Sequence, residues 1–293
     1  MNTRDTGVQV TYTSGRQGPS ISVPPNACDC HNHIYDPVRF PYAPDDLRNQ
    51  PPATVPMLRL LQQRLGLTRA VIVTPSAYGT DNACTLDALE QLGNAARGVV
   101  VVDGSVSDAE LDCMHARGAR GIRFNIATGG SDDQEMIRAL AHRIKELGWH
   151  IQFNIAAERL TAMREYFLSL PCDIVLDHFA HMPQPEGAAH PAFKIVCDML
   201  DTGKTWVKLS GYYLDYPQGH PDYAPVVRTG AAFVRHAPER LVWATDWPHP
   251  TVFTKRYPWP DEAAEMDFLA IMAPDEAVRN RILVDNPVKL YNF

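Results

Sequence analysis

Eight short apolar segments recur along the chain, each followed by a stretch whose apolar residues are spaced near the helical period of about 3.6. This alternation constrains the fold more than any other feature. The predicted strands are Ala27–His31, Ala70–Thr74, Gly98–Val102, Gly121–Phe124, Trp149–Phe153, Ile174–Leu176, Trp206–Leu209 and Leu241–Ala244. They are rich in β-branched residues and continuously apolar, as strands buried on both faces should be. The predicted helices between them are Pro56–Leu65, Thr85–Ala95, Asp108–Arg117, Gln134–Leu147, Glu158–Phe167, Pro191–Leu200 and Ala224–His236, with Asp261–Met272 and Asp275–Leu283 after the last strand. Strand and helix alternating eight times is the pattern of an α/β fold, a single (β/α)8 barrel. A doubly wound open sheet would want a glycine-rich phosphate loop after an early strand, and none is present. The expected organisation is a flexible N-terminal segment over 1–25 and one barrel over 26–293.

In such a barrel the C-terminal ends of the strands converge on one mouth, where catalysis sits. Those ends therefore carry the information. The first reads Asp29-Cys30-His31-Asn32-His33. Residues i and i+2 of a strand share a face, so both imidazoles can reach one point, such as a metal ion or a polarised carbonyl oxygen. Two histidines this close are weak evidence alone. Two other strand ends match their chemistry: Asp177-His178 after Ile174–Leu176, and Thr245-Asp246-Trp247-Pro248-His249 after Leu241–Ala244. Elsewhere at the mouth stand Arg123, Asn125 and Asn154, with Lys208 and Ser210 at the seventh strand. The guanidinium of Arg123 suits a substrate carboxylate gripped by two parallel hydrogen bonds, or a salt bridge to a neighbouring strand. Arg48, in the loop after the first strand, is a second candidate cation. Ser76, Tyr78 and Asn82 follow the second strand and can hydrogen-bond a substrate, although Asn82 can equally brace a turn. Tyr212 and Tyr213 read as a pocket wall, His249 as a neighbour of Asp246, and His181 as a packing or capping residue.

The net charge of −7 argues against nucleic acid or an anionic membrane as a partner. No apolar run approaches the roughly 20 residues of a membrane span, and residues 1–22 contain no apolar core of a secretory signal. The six cysteines are scattered and form no Cys-x-x-Cys pair, which reads as reduced, mostly buried thiols in a cytoplasmic protein. Cys28 and Cys30 are expected to alternate with the two histidines and face the other side of the strand. A monomer and a homodimer are both compatible with a barrel of this size.

Taken together, the segments Asp29–His33, Gly79-Thr80-Asp81-Asn82, Arg120–Asn125, Asp177-His178, Trp243–Pro250 and Asn286-Pro287-Val288-Lys289-Leu290-Tyr291 resemble the amidohydrolase superfamily. The resemblance runs from about Cys28 to Tyr291. It points to the branch of pyrone-dicarboxylate lactonases and related sugar-lactone and muconolactone hydrolases. That branch implies hydrolysis of a lactone, with a small anionic lactone as the substrate. Asp246 would be the general base that takes a proton from water. His31, His33 and His178 would surround the carbonyl oxygen and stabilise its developing charge.

Binuclear members of the superfamily use a bridging acid or lysine at the fourth strand and a histidine at the fifth. This chain has Arg123 and Asn154 there. A two-metal site is therefore not expected, and because the pyrone lactonases it resembles work without metal, the resemblance implies no required cofactor. The alternative is a single Zn²⁺ or other divalent ion held by His31, His33, His178 and Asp246. Two departures bear on the substrate. Where pyrone-dicarboxylate lactonases carry extra arginines, the chain reads Ile126-Ala127-Thr128-Gly129-Gly130 and Gly211-Tyr212-Tyr213-Leu214. Asn154 stands where a tyrosine is expected. A less cationic pocket implies a lactone with fewer carboxylates or more hydroxyls, of muconolactone or sugar-acid type. A lactone isomerase and a metal-dependent aromatic acid decarboxylase are the competing activities. A catalytically silent barrel would have no need of the three histidines with Asp246.

Overall fold

A computed structural model describes residues 7–44, 46 and 49–293. Arg48 lies outside the described residues. Eight parallel strands form one sheet in sequence order: β1 (Cys28–Asn32), β2 (Arg69–Val73), β3 (Ala96–Val100), β4 (Ala119–Asn125), β5 (His150–Asn154), β6 (Ile174–Leu176), β7 (Thr205–Leu209) and β8 (Leu241–Trp243). Helices fill the connections, so the fold is a single (β/α)8 barrel. Each predicted strand overlaps an observed one, and the helices Pro191–Leu200 and Ala224–His236 have the predicted limits. The predicted helix Glu158–Phe167 is instead two short ones, Ala157–Ala162 and Arg164–Leu168, because Met163 leaves the helical region at ψ 8°. The stretch predicted as Asp275–Leu283 runs on as a wide turn over Arg281–Asp285 into the helix Asn286–Tyr291.

The two faces of the sheet bury different residues. Ala70, Ile72, Ile174, Leu176, Leu241 and Trp243 pack outward into the large core shared with the helices. Their strand neighbours Val71, Val73, Val175, Val242 and Ala244 form a second cluster inside the barrel, with Trp206, Leu290 and Tyr291. The C-terminal residues close the N-terminal end of this interior. Phe293 lies against the guanidinium groups of Arg69 and Arg97, near the starts of β2 and β3. Cys28 and Cys30 pack in this same interior cluster, which corrects the expectation that they face away from the histidines. The pairing of β1 with β2 breaks register between Asp29 and Asn32, so strict strand alternation does not hold along this segment.

The β1–β8 seam is closed at the mouth. The amide of Asp246 donates to the carbonyl of His31 (3.0 Å), and that of His33 to the carbonyl of Trp247 (2.8 Å). Below these bonds the Asp29 carboxylate accepts from the Thr245 amide (3.0 Å) and hydroxyl (2.6 Å), standing in for backbone pairing. The segment expected to be flexible makes several contacts from Thr11 onward. Thr11 accepts from the Trp247 indole at 3.1 Å, and Ser14 and Ser20 donate to Pro260 and Asp267 at 2.8 and 2.7 Å. No helix among the described residues is long and apolar enough to cross a membrane.

Candidate active site

Three buried side chains meet at the seam. His31 Nε2 and His33 Nε2 lie 3.2 Å apart, and Asp246 Oδ1 lies 3.6 and 3.5 Å from them. His33 is oriented by its other nitrogen: Nδ1 donates to the Val73 carbonyl at 2.8 Å. The His178 ring packs 4.9 Å from that of His31, and its Nδ1 is 3.0 Å from the Ser210 hydroxyl. The sequence-predicted quartet is thus one cluster.

The backbone that presents it is unusual. His178, Phe179, Ala180 and His181 all have φ between 46° and 55°, and Asp246 has φ 65°. Such left-handed conformations are costly for side-chain-bearing residues and persist only where their surroundings impose them. Gly211 also has positive φ, and a Cβ there would come within 2.7 Å of His178 Nδ1. The glycine is what leaves room for this ring.

Electrostatics separates the roles open to these groups. Burial pushes His178 down to about 4, against the opposing pull of Asp246 and Asp177. Burial also holds His31 well below the ordinary histidine range, reinforced by the Lys208 charge. Both rings are therefore neutral near pH 7. For Asp246, burial pushes upward, but His178, His33 and His31 more than offset it, and the carboxyl sits well below its usual range. Tyr213 donates to Asp246 Oδ2 at 2.7 Å, which leaves Oδ1 facing the imidazoles. Burial and then Asp246 raise the Tyr213 phenol well above its ordinary value, so it remains a donor.

A ring of partners lies behind this cluster, and its importance was not read from the sequence. Asp177 accepts from Arg123 Nε at 3.0 Å and from Gln152 at 3.1 Å. The interstrand salt bridge foreseen for Arg123 is therefore present, while its two Nη atoms have no hydrogen-bond partner among the described residues. Lys208, wholly buried, reaches the Cys30 carbonyl (2.9 Å), Gln152 Oε1 (2.6 Å) and His31 Nδ1 (3.2 Å). A lysine inside the apolar run Trp206–Leu209 was the available signal, since a cation in a strand buried on both faces must be paired. At the mouth a second chain runs through the predicted Asn125 and Asn154. Asn154 Nδ2 donates to Asn125 Oδ1 (2.6 Å), and Asn154 Oδ1 accepts from His181 Nε2 (2.5 Å). His181 Nδ1 lies 3.0 Å from Asp215. Burial lowers His181, yet Asp215 outweighs it and raises it overall. His181 thus links Asn154 to Asp215.

The remaining candidates are less central. The hydroxyl of Tyr78 accepts from the Asp36 amide at 2.8 Å and braces the loop after β1. Ser76 is exposed. Asn82 ties Thr74 to Val101 and so braces its turn. His249 turns away from the cluster: it is fully buried and its Nε2 donates to Glu262 at 2.8 Å.

The residues also fit a metal ion. Tetrahedral bonds of about 2.0–2.1 Å place ligand atoms about 3.3 Å apart. The three separations among His31 Nε2, His33 Nε2 and Asp246 Oδ1, 3.2 to 3.6 Å, match that spacing. Among the described residues, His31, Asp177 and His178 form a second such group.

The family model for amidohydrolases matches residues 28–293. The chain belongs to the amidohydrolase family. It is similar to a 4-sulfomuconolactone hydrolase of Rhizobium radiobacter, at 33% identity over 93% of this chain and 92% of the relative. A 2-pyrone-4,6-dicarboxylate hydrolase of Comamonas testosteroni is 32% identical over the same shares, 93% and 92%. A D-galactarolactone isomerase of Agrobacterium fabrum is 29% identical over 94% of each chain. These amidohydrolase relatives act on lactones, by hydrolysis or isomerisation, and this amidohydrolase chain is an enzyme.

Proposed function

We propose that this amidohydrolase hydrolyses a carboxylate-bearing lactone. The observation that carries the reading is the meeting of one ionised carboxylate oxygen, Asp246 Oδ1, with two imidazole nitrogens at a barrel mouth. A lactone carbonyl oxygen received among His31, His33 and His178 would find donors in the neutral rings of His31 and His178, which gain strength as the oxygen becomes negative, while His33, whose Nδ1 proton is held by Val73, would line the same point. Asp246 Oδ1 takes a proton from water as the water oxygen bonds to the carbonyl carbon. The tetrahedral intermediate then expels the ring oxygen, which receives that proton and becomes the hydroxyl of an open-chain acid. The Nη atoms of Arg123, which have no hydrogen-bond partner among the described residues, would grip a substrate carboxylate. The Asn125–Asn154–His181 chain offers uncharged and singly charged partners rather than a bank of arginines. That polarity favours a lactone bearing hydroxyls or a single carboxylate, of muconolactone or sugar-acid type. If a divalent ion binds, His31, His33 and Asp246 would hold it, with His178 beside them, and it would supply Lewis-acid polarisation of the carbonyl.

Ring migration uses the same carbonyl activation, and the similarity to the galactarolactone isomerase favours it as a second reading. The test is a lactone panel assayed by acid release and by product NMR, on protein with and without chelator treatment. Open-chain acid supports hydrolysis, and a second lactone supports isomerisation. Asp246→Asn should retain the fold and lose turnover by a factor of about 10³ or more, within the range for loss of an essential acid–base group. Near-normal turnover in that variant sinks the assignment.

A further inference from the structure

Lys208 has no place in the chemistry above, yet its ammonium touches the ring at the centre of it. An ammonium has three protons and no lone pair. Around Lys208 Nζ stand three acceptors: the Cys30 carbonyl at 2.9 Å, Gln152 Oε1 at 2.6 Å and His31 Nδ1 at 3.2 Å. Asp177 Oδ1 lies 3.6 Å away. A ring nitrogen that accepts from an ammonium carries no proton of its own. We infer that Lys208 fixes the proton of His31 on Nε2, and so decides whether that ring donates to a substrate oxygen or ligates a metal ion.

The rest of the network agrees in direction. His33 Nδ1 faces the Val73 carbonyl, which can only accept, so His33 carries a proton there, and in its neutral form it presents a bare Nε2. His31 Nε2–H then points at that lone pair, 3.2 Å away. Donation runs one way from Lys208 through His31 and His33 to Val73. The opposite assignment puts the His31 proton on Nδ1, toward Asp177 Oδ1 at 3.3 Å. It sets two lone pairs against each other across 3.2 Å. The contact it would use, though close, falls outside hydrogen-bond geometry, and Asp177 Oδ1 has no hydrogen-bond partner among the described residues. That opposite tautomer is nevertheless the one a metal ion at His31 Nε2 requires, because a ligating nitrogen must present its lone pair. Lys208 is thus a positioning residue that biases the cluster towards acting without metal. Its effect on turnover rests on the lactone reading above; its effect on His31 does not.

The experiment reads the tautomer and the metal directly. In chelator-treated protein labelled with ¹⁵N-histidine at pH 7, with His31→Gln used to assign its signals, His31 should show a protonated Nε2 and a bare Nδ1. Lys208→Met should bind Zn²⁺ about tenfold or more tightly than wild type by calorimetry, a change of the size that partners behind metal ligands commonly exert. Lys208→Gln, whose amide can still donate to Nδ1, should fall between the two and serves if the methionine variant does not fold. Metal-free kcat should drop in Lys208→Met with KM little changed. A wild-type His31 protonated on Nδ1 overturns the inference, as does Zn²⁺ affinity in both variants no tighter than wild type. Neither decisive readout uses a lactone, so an enzyme that turned over no lactone would leave the inference standing.

Discussion

Arg123 is held by one nitrogen and open at two others. Nε is committed to Asp177, and the two Nη atoms have no hydrogen-bond partner among the described residues. A lysine here would keep the charge that Asp177 needs and lose the planar fork. Arg123→Lys should therefore cut kcat/KM about tenfold or more for a carboxylate-bearing lactone, the scale of one charge-assisted hydrogen bond. Turnover of an analogue lacking the carboxylate should change little. Equal losses on both compounds would show that Arg123 only braces Asp177. At this scale the sequence was most readable where residue type and strand end coincide. His31, His33, His178 and Asp246 each sit where an apolar run stops, and they meet in one cluster. It was least readable where a residue's partner comes from a distant strand. Lys208 and Asp177 owe their importance to His31, Gln152 and Arg123, and no local pattern connects them.

The decisive element is the seam between β1 and β8. Most strand pairs are regular ladders, but this one is closed by two backbone bonds and the Asp29 side chain, beside the residues proposed to react. The spacing of Asp246 from His31 is thus set by the same bonds that shut the barrel. Burial raises Asp29 to about 6, its bonds from Thr245 and His31 holding it lower than burial alone would. Asp29→Ala leaves the Thr245 amide and hydroxyl without their acceptor. It should lower stability by about 2–4 kcal/mol in urea unfolding, given roughly 1–3 kcal/mol for each buried polar group left unmade. It should also depress kcat more than KM, since it frees the distance between base and imidazoles. A loss of stability with kcat intact would mean that the backbone bonds alone hold that distance. The seam was invisible in the sequence because a strand run says nothing of register. The break between Asp29 and Asn32 in the pairing of β1 with β2 likewise costs no apolar residue, and only tertiary pairing reveals it. The left-handed turn from His178 to His181 was hidden for a related reason: none of its four residues is a glycine.

For the whole molecule, the barrel interior trades polar function against acid stability. His150 lies inside it, edge-on to Tyr291 with ring centroids 5.2 Å apart, and neither ring nitrogen has a hydrogen-bond partner among the described residues. Burial pushes its pKa from 6.5 down to about 3, Lys208 adds to that, and Asp177 opposes both. Above pH 6.5 the ring is neutral in the folded and unfolded chain alike, and it contributes nothing to the pH dependence. Below 6.5 the unfolded chain takes up a proton that the folded one refuses. Stability must then fall as pH drops through the window from 6.5 towards 3. At pH 4.5 this residue alone accounts for roughly 3 kcal/mol, at about 1.4 kcal/mol per pH unit. His150→Leu removes the proton acceptor from both states. Its unfolding free energy should decline less steeply between pH 6.5 and 4.5 than that of wild type. The two profiles, aligned at pH 7.5 to cancel any packing cost, should separate by that amount at pH 4.5. Parallel profiles would show that His150 is protonated in the fold after all, with its charge answered by Asp177 across the barrel.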